Sequence, residues 1–424
     1  MLVRIVYTLL LALASPLLLF GLYKSKPNKP KFGSRWREHF GITPKIKSND
    51  KPIWIHAVSV GESIAATPLI KALKEQNPEQ SILVTTTTST GAEQIAKLGD
   101  LVEHRYMPID FGFAIKGFLK AVQPKQMLII ETELWPNTLH NVHKAGIPIT
   151  VVNARLSEKS CQNYAKIQRL FNQLHPCLTQ VLCQTASDAE RFERLGVEKK
   201  KLSVTGSIKF DIQISEQVKQ QGQQLRAQLG KDRPIWIAAS THKGEDEQVL
   251  DAHRQVLKSH PNALLILVPR HPERFDDVFT LCQQQGFKTV RRTSTHAVET
   301  NTQVYLGDTM GEMLTLMGAA DICFMGGSLI GDKVGGHNVL EPAMLEKVII
   351  TGPSYFNFKE IVENLLAVDG ILIVPDSTTL ALRTTEIISQ QDKYLLRALH
   401  ANKWASSNQG ALNRTMSLLP QSDK

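Results

Sequence analysis

The chain of 424 residues carries 42% hydrophobic and 21% charged residues. That balance excludes wholesale disorder, collagen-like repeats and a polytopic membrane protein, and the length points to two or three domains. Net charge is +9, but nine Lys or Arg against two acids lie between Lys24 and Lys51. The remainder is nearly neutral, so this is no uniformly basic nucleic-acid binder. The five cysteines are widely spaced and form no CxxC pair, which argues for a reduced, cytosolic body without a Cys-type zinc site.

Residues 5–23 run without a charge and are mostly Leu, Ala, Val and Phe. As a helix rising about 1.5 Å per residue, this run just crosses a hydrocarbon core of about 30 Å. A cleaved signal peptide would need small residues after the apolar stretch, whereas Leu22, Tyr23 and Lys24 follow. A peripheral amphipathic segment is the other alternative. The reading is an uncleaved transmembrane helix over 1–24. Only Arg4 precedes the run, while Lys24, Lys26, Lys29, Lys31, Arg35 and Arg37 follow it. The positive-inside rule then puts the large C-terminal body in the cytoplasm. The basic collar over 25–51 would attract anionic lipid there.

Beyond Lys51, short apolar runs alternate with helical patterns. Strands are expected over 53–58, 82–86, 127–130, 149–152, 181–184 and 202–205, with helices such as 63–76 and 188–195 between them. Such alternation means parallel sheet covered on both faces. The Gln- and Lys-rich stretch 207–232 reads as a linker carrying a surface helix. A second series follows over 235–239, 264–268, 304–306, 322–325, 348–351 and 371–374, with helices over 246–258, 312–317 and 339–345. Lys51-Pro52-Ile53-Trp54-Ile55 echoes Arg233-Pro234-Ile235-Trp236-Ile237. The expected architecture is α/β: a Rossmann-like domain over 52–206, another over 233–390, and a helical tail over 391–424. Ligands in such folds bind beyond the carboxyl ends of the strands, here in a cleft the two domains face.

Chemistry-bearing residues gather at those expected strand ends. Ser59-Val60-Gly61-Glu62 follows the first strand. Glu62 suits a general base tuned by burial, or a helix N-terminus complemented by an acid. Glu131-Thr132-Glu133-Leu134-Trp135-Pro136-Asn137 sets two carboxylates and a Trp on a strand-to-helix turn. Ser240-Thr241-His242-Lys243-Gly244-Glu245 opens the second half, where hydroxyls and N–H groups suit a phosphate or merely cap a helix. Arg270 lies between Pro269 and Pro272 beside His271, placed for a bidentate anion contact. His271 is alternatively only a local hydrogen-bonding residue. Asp308-Thr309-Met310-Gly311-Glu312-Met313 is a further such stretch, beyond the expected strand 304–306. The most specific stretch runs from Gly326-Gly327-Ser328 to Gly335-Gly336-His337-Asn338-Val339-Leu340-Glu341-Pro342. There, glycines admit a ligand close to backbone and Glu341 suits a ribose diol. No GxGxxG, P-loop, GxSxG, HExxH or paired Cys/His metal motif occurs.

Taken together, the Ser-Val-Gly-Glu, Glu-Thr-Glu-Leu-Trp-Pro-Asn and Gly-Gly-His-Asn-Val-Leu-Glu-Pro stretches resemble the Kdo transferase family. These lipopolysaccharide enzymes add 3-deoxy-D-manno-octulosonic acid (Kdo) to the lipid A precursor, and the resemblance covers nearly the whole chain. The last stretch alone also resembles the donor segment of many GT-B glycosyltransferases. The resemblance implies a GT-B fold and a metal-independent, cofactor-free, inverting transfer from CMP-Kdo to a lipid A precursor hydroxyl (lipid IVA). It implies Glu62 as base and Arg270 as a donor-binding residue. Met310, Gly311 and Glu312 would lie around the nucleotide, with Asn338 and Glu341 at phosphate and ribose. Glu131, Ser240 and His271 are additional candidates. Another GT-B transferase or a nucleotide-sugar epimerase is an alternative, as is a non-enzymatic membrane-bound sensor.

Overall fold

The computed structural model describes residues 2–24, 30–48 and 50–420. Of the collar, Lys26 and Lys29 lie outside the described residues. The chain divides into two units, Met1–Asp211 with Gln409–Lys424, and Ile212–Asn408.

The first unit is built on seven parallel strands: β1 (Ile53–His56), β2 (Ile82–Thr86), β3 (Glu103–Tyr106), β4 (Gln126–Ile130), β5 (Ile149–Ala154), β6 (Gln180–Cys183) and β7 (Leu202–Val204). Their order is β3-β2-β1-β4-β5-β6-β7. The second unit repeats the plan with β8 (Ile235–Thr241), β9 (Leu264–Pro269), β10 (Thr289–Arg291), β11 (Val304–Leu306), β12 (Ile322–Met325), β13 (Val348–Thr351) and β14 (Ile371–Ile373). Here the order is β10-β11-β9-β8-β12-β13-β14. Strand order reverses between β1 and β4 in one sheet and between β8 and β12 in the other, the places where such sheets gather ligands.

The inner strands are buried on both faces, which is why they read as unbroken apolar runs. The sequence reading missed β3 and β10. Both are edge strands of polar composition, Glu-His-Arg-Tyr and Thr-Val-Arg, held partly by ion pairs rather than by apolar burial: Arg105 to Glu103 at 2.8 Å and Arg291 to Asp308 at 2.6 Å. The echoed Trp residues lie on the first strand of each sheet. Trp54 and Trp236 are fully buried. Their indole N–H groups donate to Thr85 Oγ1 at 2.8 Å and His253 Nδ1 at 3.0 Å, so neither large apolar ring leaves a polar atom unsatisfied.

Residues 207–232 contribute the helix Glu216–Leu229, which belongs to the second unit. It approaches the helix Met313–Ala319 so closely at Gly222 that a Cβ there would stand 3.1 Å from the Gly318 Cα. At the other end of the chain, the helix Ala411–Leu418 belongs to the first unit. Ala411 and Leu419 join that unit's core, and the Asp211 carboxylate accepts the Gly410 and Leu412 N–H groups.

The apolar N-terminal run forms α1 (Leu2–Tyr23), among the described residues the one helix long and apolar enough to cross a membrane. The middle of the collar folds onto the first unit as a 3-10 turn, Gly33–Phe40. Phe32 and His39 are buried against Tyr106, with ring centroids 4.8 and 5.2 Å away.

Candidate active site

In the first unit, β1 runs into the helix α2 (Val60–Gln76) through the Ser59 N-cap. The Ser59 hydroxyl accepts the Glu62 N–H at 3.3 Å and donates to Glu62 Oε1 at 2.9 Å. The Val58 N–H donates to Glu62 Oε2 at 2.7 Å. Glu62 is thus a capping acid at the third helical position. It is 8% exposed, and burial with the nearby Glu131 carboxylate raises its proton affinity above the ordinary carboxylate range. Each carboxylate oxygen keeps a lone pair beyond the one satisfied.

The neighbouring strand end, after β4, supplies the other two acids. Glu131 adopts a left-handed backbone with φ of 62°, unusual for a non-glycine residue and costly in free energy. Its carboxylate pairs with Lys209 Nζ at 3.1 Å. Lys209 is placed there by Asn153, itself at φ 56°, whose Oδ1 accepts the Ile208 N–H at 3.1 Å. Glu133 is pushed up to about 7, first by burial and then by the Glu62 carboxylate. Glu62, Glu131 and Glu133 therefore form one electrostatically coupled group at the point where strand order reverses.

Asp110 holds this loop down. Its carboxylate accepts the Asn137 N–H at 2.9 Å and both the N–H and hydroxyl of Thr138 at 2.6 Å. A buried acid supplied from a distant loop thus caps the helix Pro136–Lys144, consistent with the positive end of its dipole. Trp135, just ahead, remains 39% exposed.

In the second unit, the end of β8 carries Ser240 at φ 58° and a register irregularity between Ala239 and Thr241. The sequence reading offers the next hydroxyls and N–H groups to a phosphate, but much of this set is already engaged. Thr241 Oγ1 donates to Asp246 Oδ1 at 2.7 Å. Glu245 is fully buried and its carboxylate accepts four backbone N–H groups: His242 at 3.0 Å, Gly327 at 2.6 Å, Ser328 at 2.8 Å and Leu329 at 2.9 Å. The Gly-rich turn after β12 is thus sealed onto the start of the helix Asp246–Ser259.

What this clamp presents is a group of imidazoles and one guanidinium. His242 Nε2 and His337 Nε2 lie 2.9 Å apart, with stacked rings at a centroid distance of 5.1 Å. One nitrogen carries the proton and the other accepts it. Burial lowers both rings, His337 to about 4, so neutral imidazole is favoured. His271 meets His242 edge-on at 5.4 Å. Arg270 is exposed just after β9, its backbone N–H donating to the Thr241 carbonyl at 3.0 Å. It acts electrostatically on His242, His337 and Glu341. Glu341 is held above the ordinary carboxylate range by burial, and Asn338 Nδ2 donates to it at 3.4 Å. Asn338 Oδ1 accepts the Leu340 N–H at 3.1 Å, so this asparagine orients the acid and starts the turn.

The segment after β11 stands differently. Met310 is 63% exposed and Gly311 has φ of 83° with open space where a Cβ would be. Glu312 is bound by Arg292 at 2.9 Å, which lowers its proton affinity. Arg270, His271, Asn338 and Glu341 are thus brought together around the His242–His337 pair, whereas Glu312 has its own cationic partner. Glu133, Lys209, His242, Glu245 and His337 were not assigned from sequence. The paired acids of Glu-Thr-Glu and the Gly-Glu step repeated at 61–62 and 244–245 were the available signals. Among the described residues no group of three or more His, Cys, Asp or Glu is arranged to hold a metal ion.

Two Rossmann-type units with acids at the strand-order reversal of one and an Arg-His-Asn-Glu group in the other define a GT-B protein. A crystal structure of UDP-GlcNAc 2-epimerase from Neisseria meningitidis covers 86% of this chain and 100% of its own at a TM-score of 0.54, with 13% identity, a likeness of fold. Residues 34–212 match the family described as 3-Deoxy-D-manno-octulosonic-acid transferase (kdotransferase). The 3-deoxy-D-manno-octulosonic acid transferase of Haemophilus influenzae is 41% identical over 98% of this chain and 98% of its own. The C-terminal CMP-Kdo binding domain of WaaA from Acinetobacter baumannii is 36% identical, covering 45% of this chain and 98% of its own at a TM-score of 0.43. The chain belongs to the Kdo transferase family, glycosyltransferases of lipopolysaccharide biosynthesis.

Proposed function

We propose that the protein moves Kdo from CMP-Kdo, with inversion, to a hydroxyl of the lipid A precursor. Glu62 takes the acceptor proton as the acceptor oxygen forms a bond to the anomeric carbon of Kdo. The bond from that carbon to the phosphate oxygen breaks, and its electron pair leaves with CMP. The observation carrying this reading is the coupled carboxylate group Glu62–Glu131–Glu133 at the strand-order reversal of the first unit. A base needs raised proton affinity and a free lone pair, and Glu62 has both.

The donor is anionic at its phosphate and its sugar carboxylate. Arg270 meets that charge, and the neutral His242–His337 pair with His271 offers hydrogen bonds beside it. Glu341, oriented by Asn338, suits the ribose diol. Met310 and Gly311 leave room for the base. CMP is a competent leaving group once its phosphate charge is met by a guanidinium, so the proposed step runs without a metal ion. The lipid acceptor places the work at the cytoplasmic face of the inner membrane, where α1 and the basic Lys24, Lys31 and Arg37 favour anionic lipid.

Calorimetric titration with cytidine and uridine nucleotides tests this reading. CMP binds the wild-type protein, and Arg270→Ala weakens it roughly 10- to 100-fold, as expected for loss of a charge-assisted contact of about 1.5–3 kcal/mol. Preference for UMP over CMP, or equal CMP affinity in the variant, contradicts it.

A further inference from the structure

We infer that α1 lies in the plane of the membrane surface, docked lengthwise on the first unit, rather than crossing the bilayer. The inference rests on the membrane reading above and changes how that membrane is met. Near its start, the Thr8 hydroxyl accepts the Asn137 Nδ2–H at 2.9 Å, and the Tyr7 hydroxyl is buried beside Asp110. At its end, the Tyr23 hydroxyl lies 2.7 Å from His39 Nδ1, within a cluster of Tyr23, Phe32 and His39 rings. Thr8 and Tyr23 are separated along the helix by about 22 Å. Both are fastened to the same water-soluble unit. A helix so held cannot thread a hydrocarbon core of about 30 Å while that unit stays outside it.

The two faces of α1 differ accordingly. Arg4, Tyr7, Thr8, Leu11, Ser15, Leu19 and Leu22 are half-buried and recur at helical spacing along one stripe. That stripe carries Arg4, Tyr7, Thr8 and Ser15, the polar side chains of the helix ahead of Tyr23. The opposite face presents Leu9, Leu13, Leu17 and Phe20, at 61, 80, 81 and 68% exposure. A continuous apolar face this exposed needs a partner. Exposed Trp36 stands beside Lys24, Lys31 and Arg37 at one end, the composition of a headgroup boundary. The partner that fits is therefore an anionic lipid surface. In this arrangement Asn137 and Asp110 join α1 directly to the loop carrying Glu133 and Trp135, so the anchor sets the height of the site above the lipid.

The test uses the full-length protein in vesicles of phosphatidylglycerol and phosphatidylethanolamine. Spin labels are placed singly through Leu13→Cys and Phe20→Cys; the five native cysteines are buried and both positions are exposed, so folding is not at stake. An in-plane helix gives both labels the same shallow depth. A spanning helix puts position 13 near the midplane and about 10 Å deeper than position 20, which overturns the inference while leaving the membrane reading intact. Labels that stay in water, or that show only spin–spin broadening between copies, overturn both. A disulfide between Thr8→Cys and Asn137→Cys should also form in the vesicle-bound protein; a spanning helix would leave it unformed.

Discussion

Glu133 is protonated more readily because it is buried and Glu62 stands near it: burial first, and then the Glu62 carboxylate, push its carboxyl up to about 7. The two acids follow β1 and β4, strands paired in parallel at the centre of the sheet. Repulsion between them is mutual, so their protons come off as a pair. Glu133 is the natural reservoir of that pair, and Glu62, with its fixed hydrogen bonds to Val58 and Ser59, the oriented member.

Glu133 shapes the dependence of stability on pH. Its folded-state proton affinity exceeds the ordinary value of 4.5, so between 4.5 and about 7 the folded state binds more protons than the unfolded one. Stability then falls as pH rises through that window. Glu133→Gln should melt higher than wild type at pH 8 and close to it at pH 4.5. Thermal melts across pH check this, and a difference of the same size at both ends would count against it.

Glu62→Gln should lower kcat by about 10²- to 10⁴-fold, the usual loss for a general base, with the KM for CMP-Kdo little changed. Steady-state kinetics separate the two. In the Glu133→Gln enzyme the acid limb of the rate profile should stay where wild type has it, because Glu133 is still protonated and uncharged while Glu62 ionises.

Glu245 occupies the corresponding Gly-Glu step of the second unit and does something else. It lies one residue further from its strand start than Glu62 does, and the irregularity between Ala239 and Thr241 absorbs the extra residue. Its carboxylate accepts four N–H groups. Glu245→Ala strands several buried donors at about 1–3 kcal/mol each. Denaturant unfolding should show the second unit severely destabilised, whereas Glu62→Ala leaves it unchanged. A mild effect of Glu245→Ala would mean that other acceptors take over the Gly-rich turn.

Gly352 faces the same turn. A Cβ there would stand 2.2 Å from the Ser328 carbonyl oxygen, a backbone contact with nowhere to move. Gly352→Ala should lower the melting temperature markedly and reduce CMP binding through the displaced turn; near wild-type values in both would show that the loop is slack.

Strands inside both sheets were legible because burial on two faces forces Ile, Val and Leu into unbroken runs. β3 and β10 were not, because edge strands stabilised by ion pairs look like loops. Glu62, Arg270 and Glu341 stood out through the turn residues beside them. Glu133 gains its character from burial in the fold and from Glu62, a neighbour far along the chain, and Glu245 from the N–H groups of residues 327–329, so neither role is written locally. The docking of α1 was hidden for the same reason: hydropathy reads Tyr7, Thr8 and Ser15 as minor interruptions of an apolar run, whereas the fold collects them on one stripe.

The most direct measurement is mass spectrometry of the acceptor. Detergent-purified full-length protein is incubated with CMP-Kdo, generated in situ, and tetraacylated lipid A precursor. The account predicts product heavier by one or more Kdo units with wild type, and 10²- to 10⁴-fold less with Glu62→Gln. An unchanged acceptor with folded, CMP-binding wild-type protein, or equal product from the variant, would contradict it.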